Sequence, residues 1–291
     1  MPVGWNDVVV ELEAGQRVPV RVRGQIPGRV PLRRAAPLVL HLHGGAFQDT
    51  ACTGTGHLVA SLLARAGAVV VSADYPCGKG HPFPEALELV FALLQQLDRT
   101  RAAWAGRACG LFVAGEEAGG NLAAALAMMA RDRQGPKLAG QILLSPMLDP
   151  RMATCSARDA EAGPVGCRWA DGWHSYLGSP EKASHPYAAP SGASRLAGLA
   201  PALVLTATGD PMQDESLSYA RRLQDSGVAV QCHTLQAGAG WPDALSGAQA
   251  GTPATDPCWA DALSRAAADF FMTTLPRSKP ARGPDRVRSD A

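Results

Sequence analysis

The sequence predicts an α/β protein: a mostly parallel central sheet with helices on both faces, built as one domain over residues 1–275. Strand-like apolar runs alternate with helix-like patterns along almost the whole chain, the mark of repeated strand–helix units. Runs such as "PLVLHLHGG" (37–45) and "AVVVSADYP" (68–76) are apolar nearly throughout, as strands covered on both faces are. At 291 residues, with 18% charged and 46% hydrophobic residues, the chain is long enough and apolar enough for one large buried core.

The elements follow in order. "VVVELEAGQRVPVRVRG" (8–24) alternates apolar and polar residues on both sides of a glycine and predicts an antiparallel hairpin. Strand 37–45 ends in glycines, a helix follows near 54–66, and strand 68–76 comes next. "FPEALELVFALLQQL" (83–97) is a periodic helix. A strand at 110–114 then feeds a helix from about 118, and "LAGQILLSP" (138–146) is a further strand. Residues 147–200 lose the rhythm; their prolines, serines, glycines and tryptophans predict a lid-like insertion with short helices. The alternation resumes with "ALVLTATGD" (202–210), a helix through 216–227, strand 228–235 and a last helix near 257–275. The end, residues 276–291, is basic, proline-rich and almost without apolar residues, and predicts a disordered tail.

A net charge of +1 argues against a dedicated nucleic-acid or membrane-surface binder. No apolar run of membrane-spanning length and no basic-then-apolar leader is present, so the expected location is cytoplasmic. The seven cysteines (52, 77, 109, 155, 167, 232, 258) are scattered without a C-x-x-C pair, which fits reduced thiols rather than a Cys155–Cys167 bridge. The seven histidines lack metal-ligand spacing, and no cofactor is implied. The expected partner is a small apolar or ester-like molecule; a homodimer is compatible with the sequence.

The chemistry-bearing stretch is "LFVAGEEAGGNLAAALAMMA" (111–130). A strand runs into a sharp glycine-rich turn and then a helix, with Glu117 at the tip. Four segments, in order and at suitable spacing, resemble the hormone-sensitive-lipase-like branch of the α/β-hydrolase fold, the bacterial family IV carboxylesterases. "HLHGGAF" (41–47) resembles the family's oxyanion loop, and "DYPCGKGHPFPEAL" (74–87) its D-Y motif. "GEEAGGNLA" (115–123) resembles the nucleophile elbow, and "LVLTATGDPMQDESLSYARRL" (203–223) the segment carrying the catalytic acid. The resemblance covers about residues 8 to 275. The family's helical cap usually adds more N-terminal chain than the residues before H-G-G here, which implies a reduced lid.

The departures bear on function. The resemblance implies a serine, a histidine and an acid. Glu117 stands at the serine position and Asp210 at the acid position. The histidine segment aligns with "LQAGAGWPDAL" (235–245), with Gly240 at or beside the histidine position; His233 lies within a strand pattern, and His43 reads as structural. Backbone donors of an oxyanion hole would come from Gly45, Ala46 and Ala118, although Ala46 cannot take glycine-only backbone angles without strain. In the D-Y motif the family's charged pair has become Pro76 and Gly80. Trp241, Asp243 and Phe47 are candidate pocket residues; Trp169, Trp173 and Tyr176 either wall a pocket or pack the lid, and Glu116 reads as a first-turn helix acid.

The best reading is a catalytically silent or small-molecule-binding relative, with Glu117 folded back onto the oxyanion donors. The alternative is a non-hydrolytic enzyme using Glu117 and Asp210 as an acid–base pair for dehydration, cyclisation, isomerisation or decarboxylation, the like charges raising one pKa. A covalent carboxylate nucleophile and a residual carboxylesterase complete the set.

Overall fold

The computed structural model describes residues 4–13, 15–24, 36–48, 55–106, 108–161, 164–236, 241 and 257–275. The expected tail at 276–291, the histidine position near Gly240, and Asp243 lie outside the described residues.

Eight strands form one sheet. Strands β1 (Asn6–Glu11) and β2 (Arg17–Arg23) make the antiparallel hairpin, and the alternation of β2 buries Val18, Val20 and Val22 while its arginines face outward. The remaining strands are β3 (Leu38–Leu42), β4 (Val69–Ala73), β5 (Leu111–Glu116), β6 (Leu138–Leu144), β7 (Ala202–Ala207) and β8 (Val230–Leu235). The order across the sheet is β1-β2-β4-β3-β5-β6-β7-β8. β2 joins β4 antiparallel, and every later pairing is parallel. Strands β3, β4, β5 and β7 are buried along their whole length.

Both faces are covered. On one side Val39, Val70, Phe112 and Ala114 meet α1 (Thr55–Arg65) and α7 (Ala260–Thr274), in a cluster with Leu63, Leu263, Phe270 and Phe271. On the other, Leu38, Leu40, Val71, Leu111 and Val113 pack against α2 (Glu85–Ala105), α3 (Glu117–Asp132) and α6 (Gln213–Asp225). Between β6 and β7, α4 (Cys155–Glu161) and α5 (Pro164–Leu177) lie on that second side.

Helix α2 runs eight residues past the predicted end at 97, to Ala105. The apolar stripe stops there, but polar contacts carry the helix on. Thr100 Oγ1 donates to the Gln96 carbonyl at 2.7 Å, Trp104 Nε1 to Thr100 Oγ1 at 3.0 Å, and Arg101 pairs with Asp98 at 2.8 Å. Among the described residues no helix is long and apolar enough to cross a membrane, and no group of histidines, cysteines and acids has metal-holding geometry.

Candidate active site

Strand β5 ends at Glu116, and the chain reverses into α3 at Glu117, whose φ is 52°. Left-handed backbone at a glutamate is uncommon and is held here by packing. A Cβ on Gly115 would lie 2.3 Å from the Gly119 carbonyl, and one on Gly119 would lie 2.0 Å from the Leu42 carbonyl oxygen. A Cβ on Gly120 would sit 2.8 Å from Pro146. The helix start is pressed against the neighbouring strand ends too closely for any side chain, so these glycines are dictated by the turn. The turn aims residue 117 inward.

The Glu117 side chain is 3% exposed. Its Oε2 accepts N–H bonds from Gly45 at 2.7 Å and Ala46 at 3.3 Å, and its Oε1 accepts the Trp169 Nε1–H of α5 at 2.7 Å. Burial pushes its pKa from 4.5 up to about 7, while the backbone donors of Gly45 and Ala46 and the charge of Arg168 pull the other way. Glu116 adds a small upward push.

The loop carrying those donors is itself in the left-handed region at three successive residues: Gly45 at 121°, Ala46 at 52° and Phe47 at 57°. Ala46 tolerates the angle because its surroundings are closed. It is fully buried, and a Cβ on Gly172 of α5 would lie 1.9 Å from its carbonyl oxygen. Phe47 stacks on Tyr176 at 4.0 Å and leans on Trp173 at 5.1 Å; it is packed against α5 and 1% exposed. Ala118 is buried in the first turn of α3. Burial lowers the pKa of His43, its Nδ1–H donates to the Gly44 carbonyl at 2.6 Å, and its ring stacks on Tyr75 at 4.5 Å.

Asp210 lies just beyond β7 and is 4% exposed. Its Oδ2 accepts from Ser145 Oγ, from Thr206 Oγ1 at 2.8 Å and from the Trp241 indole Nε1–H at 3.0 Å; its Oδ1 accepts the Met212 N–H at 2.9 Å. Trp241 also donates to Ser145 Oγ at 2.9 Å and stands edge-on to Trp259 at 5.0 Å.

A profile of the alpha/beta hydrolase fold matches residues 39–239, a span holding the loop, the elbow and Asp210. The chain belongs to the α/β-hydrolase family, in its hormone-sensitive-lipase-like esterase branch. It is 32% identical to esterase LipI of Mycobacterium tuberculosis over 79% of this chain and 72% of that protein. It is 30% identical to carboxylesterase NlhH of the same organism over 69% of this chain, spanning 64% of NlhH's length. The crystal structure of EstE1, a thermophilic carboxylesterase from a metagenomic library, superposes with a TM-score of 0.77 at 27% identity over 95% of this chain and 91% of EstE1.

Within this α/β-hydrolase some sequence expectations change. Glu116 is the last residue of β5 rather than a first-turn helix acid. It is fully buried, accepting His41 Nε2 at 2.8 Å and the Gly44 N–H at 3.0 Å, and His41 Nδ1 meets Ser72 Oγ at 2.9 Å. The raised pKa of Glu117 has a different origin from the one expected: burial is its main cause, and the charges weighing most on it are Arg168 and Glu116 rather than Asp210. His233 is exposed on β8. Four contacts of the site escaped sequence reasoning: the Trp169 donor, the Ser145 hydroxyl and the Thr206 hydroxyl on Asp210, and the approach of Gly172 to Ala46. The "RWADGW" spacing places Trp169, Gly172 and Trp173 on one helical face, which is the signal that was available.

Proposed function

We propose that this chain is a catalytically silent, small-molecule-binding member of the esterase branch. The observation that carries the reading is the Glu117 carboxylate lying on the Gly45 and Ala46 N–H groups. In an acyl-transfer enzyme such donors are kept for the oxygen that gains charge in the transition state. Here they already hold a carboxyl group that the chain itself supplies. The hydrogen bond that would orient a histidine on Asp210 comes instead from Trp241. An indole N–H donates but has no basic lone pair, so it cannot take a proton from a nucleophile.

A second reading has Glu117 and Asp210 as an acid–base pair in a non-hydrolytic enzyme. It is favoured by the Glu117 pKa of about 7, suited to proton transfer near neutral pH. Against it, both carboxylates are engaged by internal donors, three N–H groups on Glu117 and four donors on Asp210. A substrate would have to displace them.

The test is hydrolysis of p-nitrophenyl acetate and butyrate. The expected result is no turnover above buffer. Robust hydrolysis that persists in Glu117→Ala would overturn the silent reading. Should another substrate be found to turn over, loss of that turnover in both folded Glu117→Gln and folded Asp210→Asn would establish the acid–base pair in its place.

A further inference from the structure

We infer that a groove at the end of the sheet remote from Glu117 binds a small organic anion with an alkyl body, its head group at Lys137 and its body over Ala127, Ala130 and Leu199. The groove encloses about 380 Å³ between the last turns of α3, the turn into β6 and the residues leading into β7. Helix α3 starts at the elbow and ends here, so at about 1.5 Å per residue the groove lies roughly 15–20 Å from Glu117. It shares no residue with the candidate active site.

The shape of the groove follows from small and cyclic residues. Alanines at 127 and 130 leave room that a larger helical side chain would fill, and with Leu199 they make an apolar floor. Pro136 and Pro201 stand at the entries to β6 and β7 and offer no N–H. The far wall is fixed by Arg131, whose Nη1 donates to the Arg195 and Ala197 carbonyls, each at 2.9 Å. Gln141 Nε2 holds the Ala200 carbonyl at 3.0 Å. A groove formed before its ligand arrives spares the ordering cost of binding. Its lining carries two cations and no acid. Arg131 Nε is taken up by Asp132 at 2.7 Å, which lines a neighbouring cavity together with Arg195 and not this groove. Lys137 is exposed and has no ion pair among the described residues. An ammonium beside an apolar trough suits an anionic head on an alkyl body and repels a cationic one. The volume of about 380 Å³ is at the small end of the roughly 300–1,000 Å³ of ligand sites, which matches a chain of about eight carbons.

The test titrates the full chain with octanoate and octyl sulfate below micelle formation, followed by nitrogen–proton NMR at neutral pH. Butyrate and octyltrimethylammonium are the controls for chain length and charge. The amides of Lys137, Leu138 and Leu199 should shift and saturate, with Kd on the order of a millimolar for both octyl anions. Both controls should bind at least tenfold more weakly. Lys137→Glu, at an exposed position, should weaken octanoate at least tenfold, and Ala130→Leu should do the same by filling the trough. Lys137→Glu carries the test should Ala130→Leu misfold. Arg195→Ala, in the neighbouring cavity, should leave affinity within about twofold, since a chain seated in the groove does not meet that side chain. Absence of saturable shifts at these amides overturns the inference, as do shifts confined to the Gly45–Ala46 loop. So does equal binding of octyltrimethylammonium, an unchanged affinity in Lys137→Glu, or a larger loss in Arg195→Ala than in Lys137→Glu. None of these outcomes depends on whether Glu117 silences the elbow.

Discussion

Burial and hydrogen bonding pull the Glu117 carboxyl in opposite directions. Desolvation disfavours its anion, and the N–H groups of Gly45 and Ala46 favour it; burial wins, leaving the pKa at about 7. A folded pKa above the unfolded one means that the folded protein holds the extra proton. The associated stability is therefore complete below pH 4.5 and is lost as pH rises through 7, an effect of about 3 kcal/mol. Glu215 behaves alike: it accepts the N–H groups of Leu148 and Asp149, and burial raises it to about 8. Denaturant unfolding across this range should show a decline in stability for the wild type. The decline should be shallower in Glu117→Gln, with the Glu215 share retained; an identical slope would mean that Glu117 titrates like an exposed acid. None of this was readable as a number from sequence. The glutamate at the turn was visible, whereas its donors lie dozens of residues away and only folding brings them together.

The elbow and the lid helix are the two elements that make the site, and they differ in legibility. The elbow was legible because G-x-x-x-G-G at a strand–helix junction has one physical use: at 115, 119 and 120 a side chain would strike backbone or Pro146. Gly119→Ala puts a Cβ 2.0 Å from the Leu42 carbonyl oxygen and 2.5 Å from that of His43. Backbone cannot rotate away as a side chain can, so a loss of about 3 kcal/mol or more is expected in thermal or denaturant unfolding. A midpoint within a degree or two of wild type would refute such tight packing. The lid was legible only as a break in rhythm. Gly172 gave no hint of its contact with Ala46, because close approach depends on where α5 docks. Gly172→Ala should lift α5 from the loop, and accelerated limited proteolysis within the insertion would register it, with the core surviving. An unchanged cleavage rate would mean that α5 is not held there. Likewise the far end of α2 rests on side-chain hydrogen bonds that an apolar pattern does not encode.

At the scale of the molecule, the sheet was legible because every central strand is buried on both faces, which leaves a near-continuous apolar run in the sequence. The fold then places the loop after β3, the elbow after β5 and Asp210 after β7 at the same end of the sheet. There a glutamate lies on the Gly45 and Ala46 N–H groups and an indole N–H on Asp210. The central claim is that the elbow carboxylate holds those donors. It is tested most directly by following the Gly45 and Ala46 amide resonances and the Trp169 indole N–H by nitrogen–proton NMR as pH is varied. The account predicts that all three shift together with one midpoint at about 7 and stay fixed in Glu117→Gln. Resonances that do not move, or that titrate identically in the variant, would contradict it.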